Sequence, residues 1–116
     1  MANKKKSTIK YPPSAKHLLG AKEVEGKPRM TLVSHHLPRA LLAVAELRTH
    51  AAANRGDSTW EEVTLVEWQD AMQRHQNAIA QGEYWDEDSG FRHSTCILCT
   101  AMFIDEINAR AEEAEE

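Results

Sequence analysis

Residues 64–82 read TLVEWQDAMQRHQNAIAQG, and this stretch decides the fold. Thr64 and Glu67 sit three apart at its start, the spacing of a capping box in which hydroxyl and carboxylate each satisfy a backbone N–H. Leu65, Trp68, Met72, His75 and Ile79 follow at spacings of 3, 4, 3 and 4, one face of a helix. Gly82 stops the pattern. The expected helix runs from about Leu65 to Gln81. Ser58 and Glu61 offer a second, earlier box.

Upstream, Pro38 suits a first helical position, because its missing N–H has no partner there. Arg39 to Asn54 contain neither Gly nor Pro, and Gly56 follows. Leu37, Leu41, Val44, Ala45 and Ala51 fit a 3.6-residue period and predict the buried side of this helix. Residues 55–63 are a connector and residues 82–91 an acidic loop. Downstream, a helix is expected from about Arg92 to Ala111. Ile97, Leu98, Ala101, Met102, Phe103, Ile104 and Ile107 spread over a wide arc, which predicts the most buried helix of the chain. No segment has the alternation of a strand. The class is all-α, a compact bundle of three main helices.

The 116 residues suffice for one domain. Three parts are expected: a basic arm over 1–29, a helical domain over 30–111 and an acidic tail over 112–116. Residues 1–29 hold eight Lys/Arg against two acids, and the remainder holds six Arg against sixteen acids. Such an arm suits nucleic acid, phosphate, or the acidic body of a second copy. Pro12-Pro13, Gly20, Gly26 and Pro28 mark it as irregular, with one helical turn at most over Ser14–Leu19. No apolar run approaches the roughly 20 residues that cross a bilayer, and no secretory pattern follows the first lysines. The expected compartment is the cytoplasm. Cys96 and Cys99 share a helical face, poorly placed for a disulfide, and read as reduced thiols.

The chemistry gathers at the second loop. His75, Glu83, Asp86, Glu87, Asp88 and His93 bracket it. Antiparallel closure of the two flanking helices would bring both imidazoles near Glu83 and Asp86. Carboxylates with an imidazole suit Mg²⁺ or Mn²⁺. A zinc alternative combines His93, Cys96 and Cys99, at i, i+3 and i+6, with Asp86.

From Gly26 to Glu106 the chain resembles the small all-α family of dATP/dGTP diphosphohydrolase N-terminal domains. That family is related to the MazG-like nucleoside triphosphate pyrophosphohydrolases and is frequent in bacteriophages. The resemblance rests on Gly26-Lys27-Pro28-Arg29 with Leu32, on Gly56-Asp57 with Trp60, and on Ala71, Arg74 and His75. Its clearest element is Gly82, Glu83, Asp86, Ser89, Gly90 and His93. Asn54, Arg55, Thr59, Cys96 and Thr100 stand where the family has other residues. The Glu-Glu-x-x-Glu half of the MazG pattern is missing, whereas Glu83-x-x-Asp86 matches its second half.

The resemblance implies metal-dependent hydrolysis of (deoxy)nucleoside triphosphates to monophosphate and pyrophosphate, by a homo-oligomer. It implies Glu83, Asp86 and His75 as catalytic, and Glu83, Asp86 and His93 around the metal. Arg74, Lys27 and Arg29 would steady phosphates, and Trp60 would stack on the base. A non-catalytic accessory or interaction module with an altered site is the alternative.

Overall fold

The computed structural model describes residues 26–115. The expectations for Pro12-Pro13, Ser14–Leu19 and most of the basic arm lie outside the described residues. Four helices follow in order: α1 (Thr31–Ser34), α2 (Pro38–Arg55), α3 (Leu65–Ala80) and α4 (His93–Ala114), with a 3-10 turn at Thr59–Glu62 before α3. No strand occurs among the described residues; an isolated antiparallel bridge joins Trp85 and Arg92 across the loop. The fold is all-α, and among the described residues no helix is long and apolar enough to cross a membrane.

Local chemistry sets the helix ends. Pro38 opens α2, and Gly56, at φ 96°, closes it by donating its N–H to Ala52. Both bonds of the Thr64–Glu67 box form: Glu67 N donates to Thr64 Oγ1 at 3.2 Å and Thr64 N donates to Glu67 Oε1 at 2.9 Å. The earlier box does not form; Ser58 opens the 3-10 turn without a side-chain cap. After α3 the N–H of Glu83 reaches Ala78 and that of Gly82 reaches Ile79, a Schellman ending that requires the left-handed φ of 94° at Gly82.

Helix α4 is the central element, with α3 and α2 packed on it. His75 meets His93 and Trp68 meets Phe103, so residue numbers rise along α3 as they fall along α4, and the two helices are antiparallel. Phe103 is the hub. It stacks on Trp60 at 4.8 Å, touches Trp68 at 4.7 Å and lies under the Arg48 guanidinium at 5.2 Å.

Three expectations about burial are corrected. The fully buried positions of α4 are the small and polar His93, Thr95, Cys96, Cys99 and Thr100, while Leu98 and Met102 are exposed. Helix α2 turns Val44, flanked by Ala40, Leu47 and Ala51, away from solvent and leaves Leu37, Leu41 and Ala45 outside. The cause is shared: small residues let two backbones approach closely, and among the described residues no further helix covers the leucines. Ile79, at the end of the α3 stripe, is also exposed. Helix α4 continues through Ala114, past the end expected near Ala111.

Candidate functional site

The loop between α3 and α4 is folded by its own side chains. Asp86 Oδ2 accepts from the N–H of Ser89 at 3.2 Å, and Ser89 Oγ accepts from the N–H of Phe91 at 3.2 Å. Asp86 N donates to Phe91 O, and Gly90 N donates back to Asp86 O, both at 2.8 Å. Gly90 adopts φ 79°, a backbone state that L side chains rarely take. His93 N donates to Tyr84 O and so fixes the start of α4.

This frame brings two imidazoles together. His75 Nδ1 and His93 Nδ1 are 2.9 Å apart, a hydrogen bond in which one nitrogen donates and the other accepts. His93 is only 5% exposed, and its Nε2 has no hydrogen-bond partner. Glu83 Oε2 lies 3.8 Å from that Nε2, too far for a hydrogen bond, and the Glu83 side chain is 64% exposed. Ligand atoms of His75, Asp86 and Cys96 also lie within 4.8 Å of one another. Among the described residues this is the group of three able to hold a metal. Glu83 and His93 stand outside it, and so does Cys99.

Burial holds the His75 imidazole below its ordinary pKa; Asp86 pulls the other way, while His93 and Arg74 reinforce the fall. Burial alone would raise Asp86, but the hydrogen bonds from Ser89, with His75 and the Asp88 backbone, outweigh it and the carboxyl is lowered. Burial pushes the Cys96 thiol up; Ser89 opposes this and the Asp86 charge adds to it. Both shifts favour an uncharged imidazole at His75 and an ionised carboxylate at Asp86.

Three hollows meet at Asp86. An inner cavity of about 240 Å³ runs under Trp60, Trp68 and Phe103 and ends at His75, Asp86 and Cys96. A groove of about 550 Å³ carries Arg55, Arg74, His50 and Asn54 alongside His75 and His93. A third hollow of about 400 Å³ is lined by Glu83, Asp86, Glu87, Asp88, Trp85 and His93. Its hard oxygen donors fit an ion of the Mg²⁺ or Mn²⁺ type, which takes oxygen ligands and keeps several waters.

The structure brings Arg74, His75, Asp86 and His93 to one groove and sets Glu83 at its acidic rim. Trp60 lines the inner cavity, but its ring is engaged by Phe103 and has the Arg110 guanidinium over it at 5.1 Å, so it acts as a packing anchor. Among the described residues, Lys27 and Arg29 line none of these three hollows. Arg55, His50 and Asn54 join the site from the last turns of α2, a contribution that periodicity gave no reason to expect. The one signal was that Asn54-Arg55 replaces the family's residues immediately before Gly56.

No curated protein and no solved structure matches the chain. The model of the family described as dATP/dGTP diphosphohydrolase, N-terminal, matches residues 19–116. That span includes α1 to α4, the loop that folds around Asp86 and all three hollows, and the chain therefore belongs to the dATP/dGTP diphosphohydrolase N-terminal family.

Proposed function

We propose that this protein hydrolyses (deoxy)nucleoside triphosphates, dATP and dGTP first among them, to the monophosphate and pyrophosphate, with Mg²⁺ or Mn²⁺ as cofactor. The observation that carries this reading is one groove holding two arginines, Arg55 and Arg74, beside His75 and Asp86, in a chain of this family. Guanidinium groups bind phosphate oxygens in pairs of charge-assisted hydrogen bonds, which fixes the triphosphate along the groove. Lys27 and Arg29 add positive charge from the segment before α1.

In the reaction a water oxygen bonds to the α-phosphorus as the bond from that phosphorus to the α–β bridging oxygen breaks. The Glu83 carboxylate takes the water's proton beside the paired His75 and His93, and pyrophosphate leaves. Glu83 and Asp86, with His93 between Glu83 and His75, would hold the metal. When bound, such an ion neutralises phosphate charge and makes the attacking water more acidic. The inner cavity supplies apolar surface for the base, through ring edges rather than an open face of Trp60. A second copy covers Leu37, just before α2, and Leu41 and Leu42 of α2, with Leu98 and Met102 of α4, all of them exposed in the single chain; light scattering across a concentration series reads this directly.

The exposure of Glu83 favours one second reading, a nucleotide-binding module that has lost hydrolysis. Release of pyrophosphate from each of the four dNTPs, with Mg²⁺ or Mn²⁺, decides between them. Activity that falls about 100-fold or more in Glu83→Ala supports the enzyme. Nucleotide binding without pyrophosphate from any substrate supports the module.

A further inference from the structure

We infer that the chain holds a resident transition-metal ion of the zinc type between His75, Asp86 and Cys96, distinct in chemistry from the ion that accompanies a nucleotide. The three ligands come from three elements, α3, the loop and α4. Their ligand atoms lie within 4.8 Å of one another, and Cys96 Sγ is 4.0 Å from Asp86 Oδ2. Ligand–ligand edges in a tetrahedral zinc site are about 3.5 Å, so the Cys96–Asp86 edge closes with a contraction of roughly 0.5 Å and the widest edge with one of at most roughly 1.3 Å. The donors also choose the ion. Mg²⁺ demands hard oxygens, whereas one thiolate, one imidazole and one carboxylate suit a borderline ion.

The surroundings are those of a metal site. If His75 donates from Nδ1 to His93 Nδ1, its Nε2 carries the lone pair for the metal. His93 must then keep its own proton on Nε2, the buried atom that has no hydrogen-bond partner and faces Glu83 at 3.8 Å. The His75–His93 hydrogen bond fixes the His75 ring, as a bond to the far ring nitrogen does for a ligating histidine. Ser89 supports the other two ligands, with its N–H on Asp86 Oδ2 and its Oγ 3.6 Å from Cys96 Sγ. Three protein ligands leave a fourth position, and the hollow that all three line is the inner cavity under Trp60, Trp68 and Phe103. On binding, the Cys96 S–H gives its proton to solvent as the metal–sulfur bond forms, and nothing is oxidised or reduced.

Titration of the chelator-stripped full chain with Co²⁺, without nucleotide, tests this. One equivalent should produce a near-ultraviolet thiolate-to-cobalt charge-transfer band and the visible bands of a four-coordinate ion, and Zn²⁺ should displace both. Cys96→Ser and His75→Ala should lose the charge-transfer band or its one-equivalent end point, with Zn²⁺ affinity down about tenfold or more. Cys99→Ser should keep both. Cys96→His should keep Zn²⁺ binding without the thiolate band, which separates a lost ligand from a lost fold. A full chain with no thiolate band, a band that survives in Cys96→Ser, or one that disappears in Cys99→Ser alone overturns the assignment. Hydrolysis plays no part in this readout. A metal-loaded chain that releases no pyrophosphate refutes only the enzymatic reading, and an active chain with no thiolate band refutes only this one.

Discussion

Phe103→Ala is the sharpest test of how this bundle holds together. Phe103 is half-buried, and its ring touches Trp60, Trp68 and Arg48 together. Full burial of such a ring stabilises by about 1.5–3 kcal/mol, so half burial contributes about 0.75–1.5 kcal/mol. Each aromatic contact adds about 0.5–1.5 kcal/mol beyond the area term, and there are two. The expected loss is about 3 kcal/mol, against a total of about 5–15 kcal/mol for a small domain. At about 4–8 °C per kcal/mol, the thermal midpoint should fall by at least about 12 °C. Circular dichroism melts of the ligand-free chain measure this, and Trp fluorescence should shift to the red as Trp60 and Trp68 lose their cover. Phe103→Leu keeps the apolar volume and loses the ring stacking, so it should cost less, about 1.5 kcal/mol. A Phe103→Ala melt within about 4 °C of wild type, or equal losses in both variants, would refute the hub.

Arg74→Ala and Arg55→Ala each remove a charge-assisted contact worth about 1.5–3 kcal/mol, so calorimetry should show nucleotide affinity down roughly 10- to 100-fold while the melt barely moves. Asp86→Asn keeps an oxygen that can accept from the Ser89 N–H but removes the charge; hydrolysis should be lost while the thermal midpoint stays within a few degrees. Thr64→Ala should cost about 1 kcal/mol through the lost cap, read by urea denaturation. The Thr64 backbone and hydroxyl hold the Glu67 carboxyl below its ordinary range. Its contribution is therefore present above the unfolded pKa of about 4.3 and disappears as pH falls through the lower folded value, so Glu67→Ala should flatten this part of the acid slope of stability.

The helix limits were legible in the sequence because the rules that set them act within about four residues. Pro38, the Thr64–Glu67 box, Gly56 and Gly82 each govern their own turn, and each is found at or next to an observed boundary. Which face a helix buries is a different kind of question, since it depends on a partner that the periodicity does not name. On α2 the leucines and the alanines both recur with a helical period; Val44 and its alanine flank won because α4 approaches closely there. On α4 the isoleucines and leucines promised the core, yet Cys96, Cys99 and Thr100 lie at the contact. For the same reason Arg55 escaped notice: its place in the groove depends on how α2 lies across α4, a long-range fact with no local trace.

The motif around the loop contains two kinds of residue, and the structure separates them. Gly82, Ser89 and Gly90 do backbone work: a helix ending, a turn bond and a left-handed φ. The Glu83 N–H helps to end α3, but its exposed carboxylate takes no part in the loop's hydrogen bonds and lies 3.8 Å from the buried His93. Asp86 does both, since one oxygen caps Ser89 while the same carboxylate faces His75 and Cys96. A loop built this way ties the position of its reactive groups to its own folding, because any shift at Ser89 moves Asp86 as well. The Cys96 departure from the family falls at the one spot where Ser89, Asp86 and His75 converge. The substitution therefore alters the chemistry of the site and leaves the loop's hydrogen bonds to hold it in place.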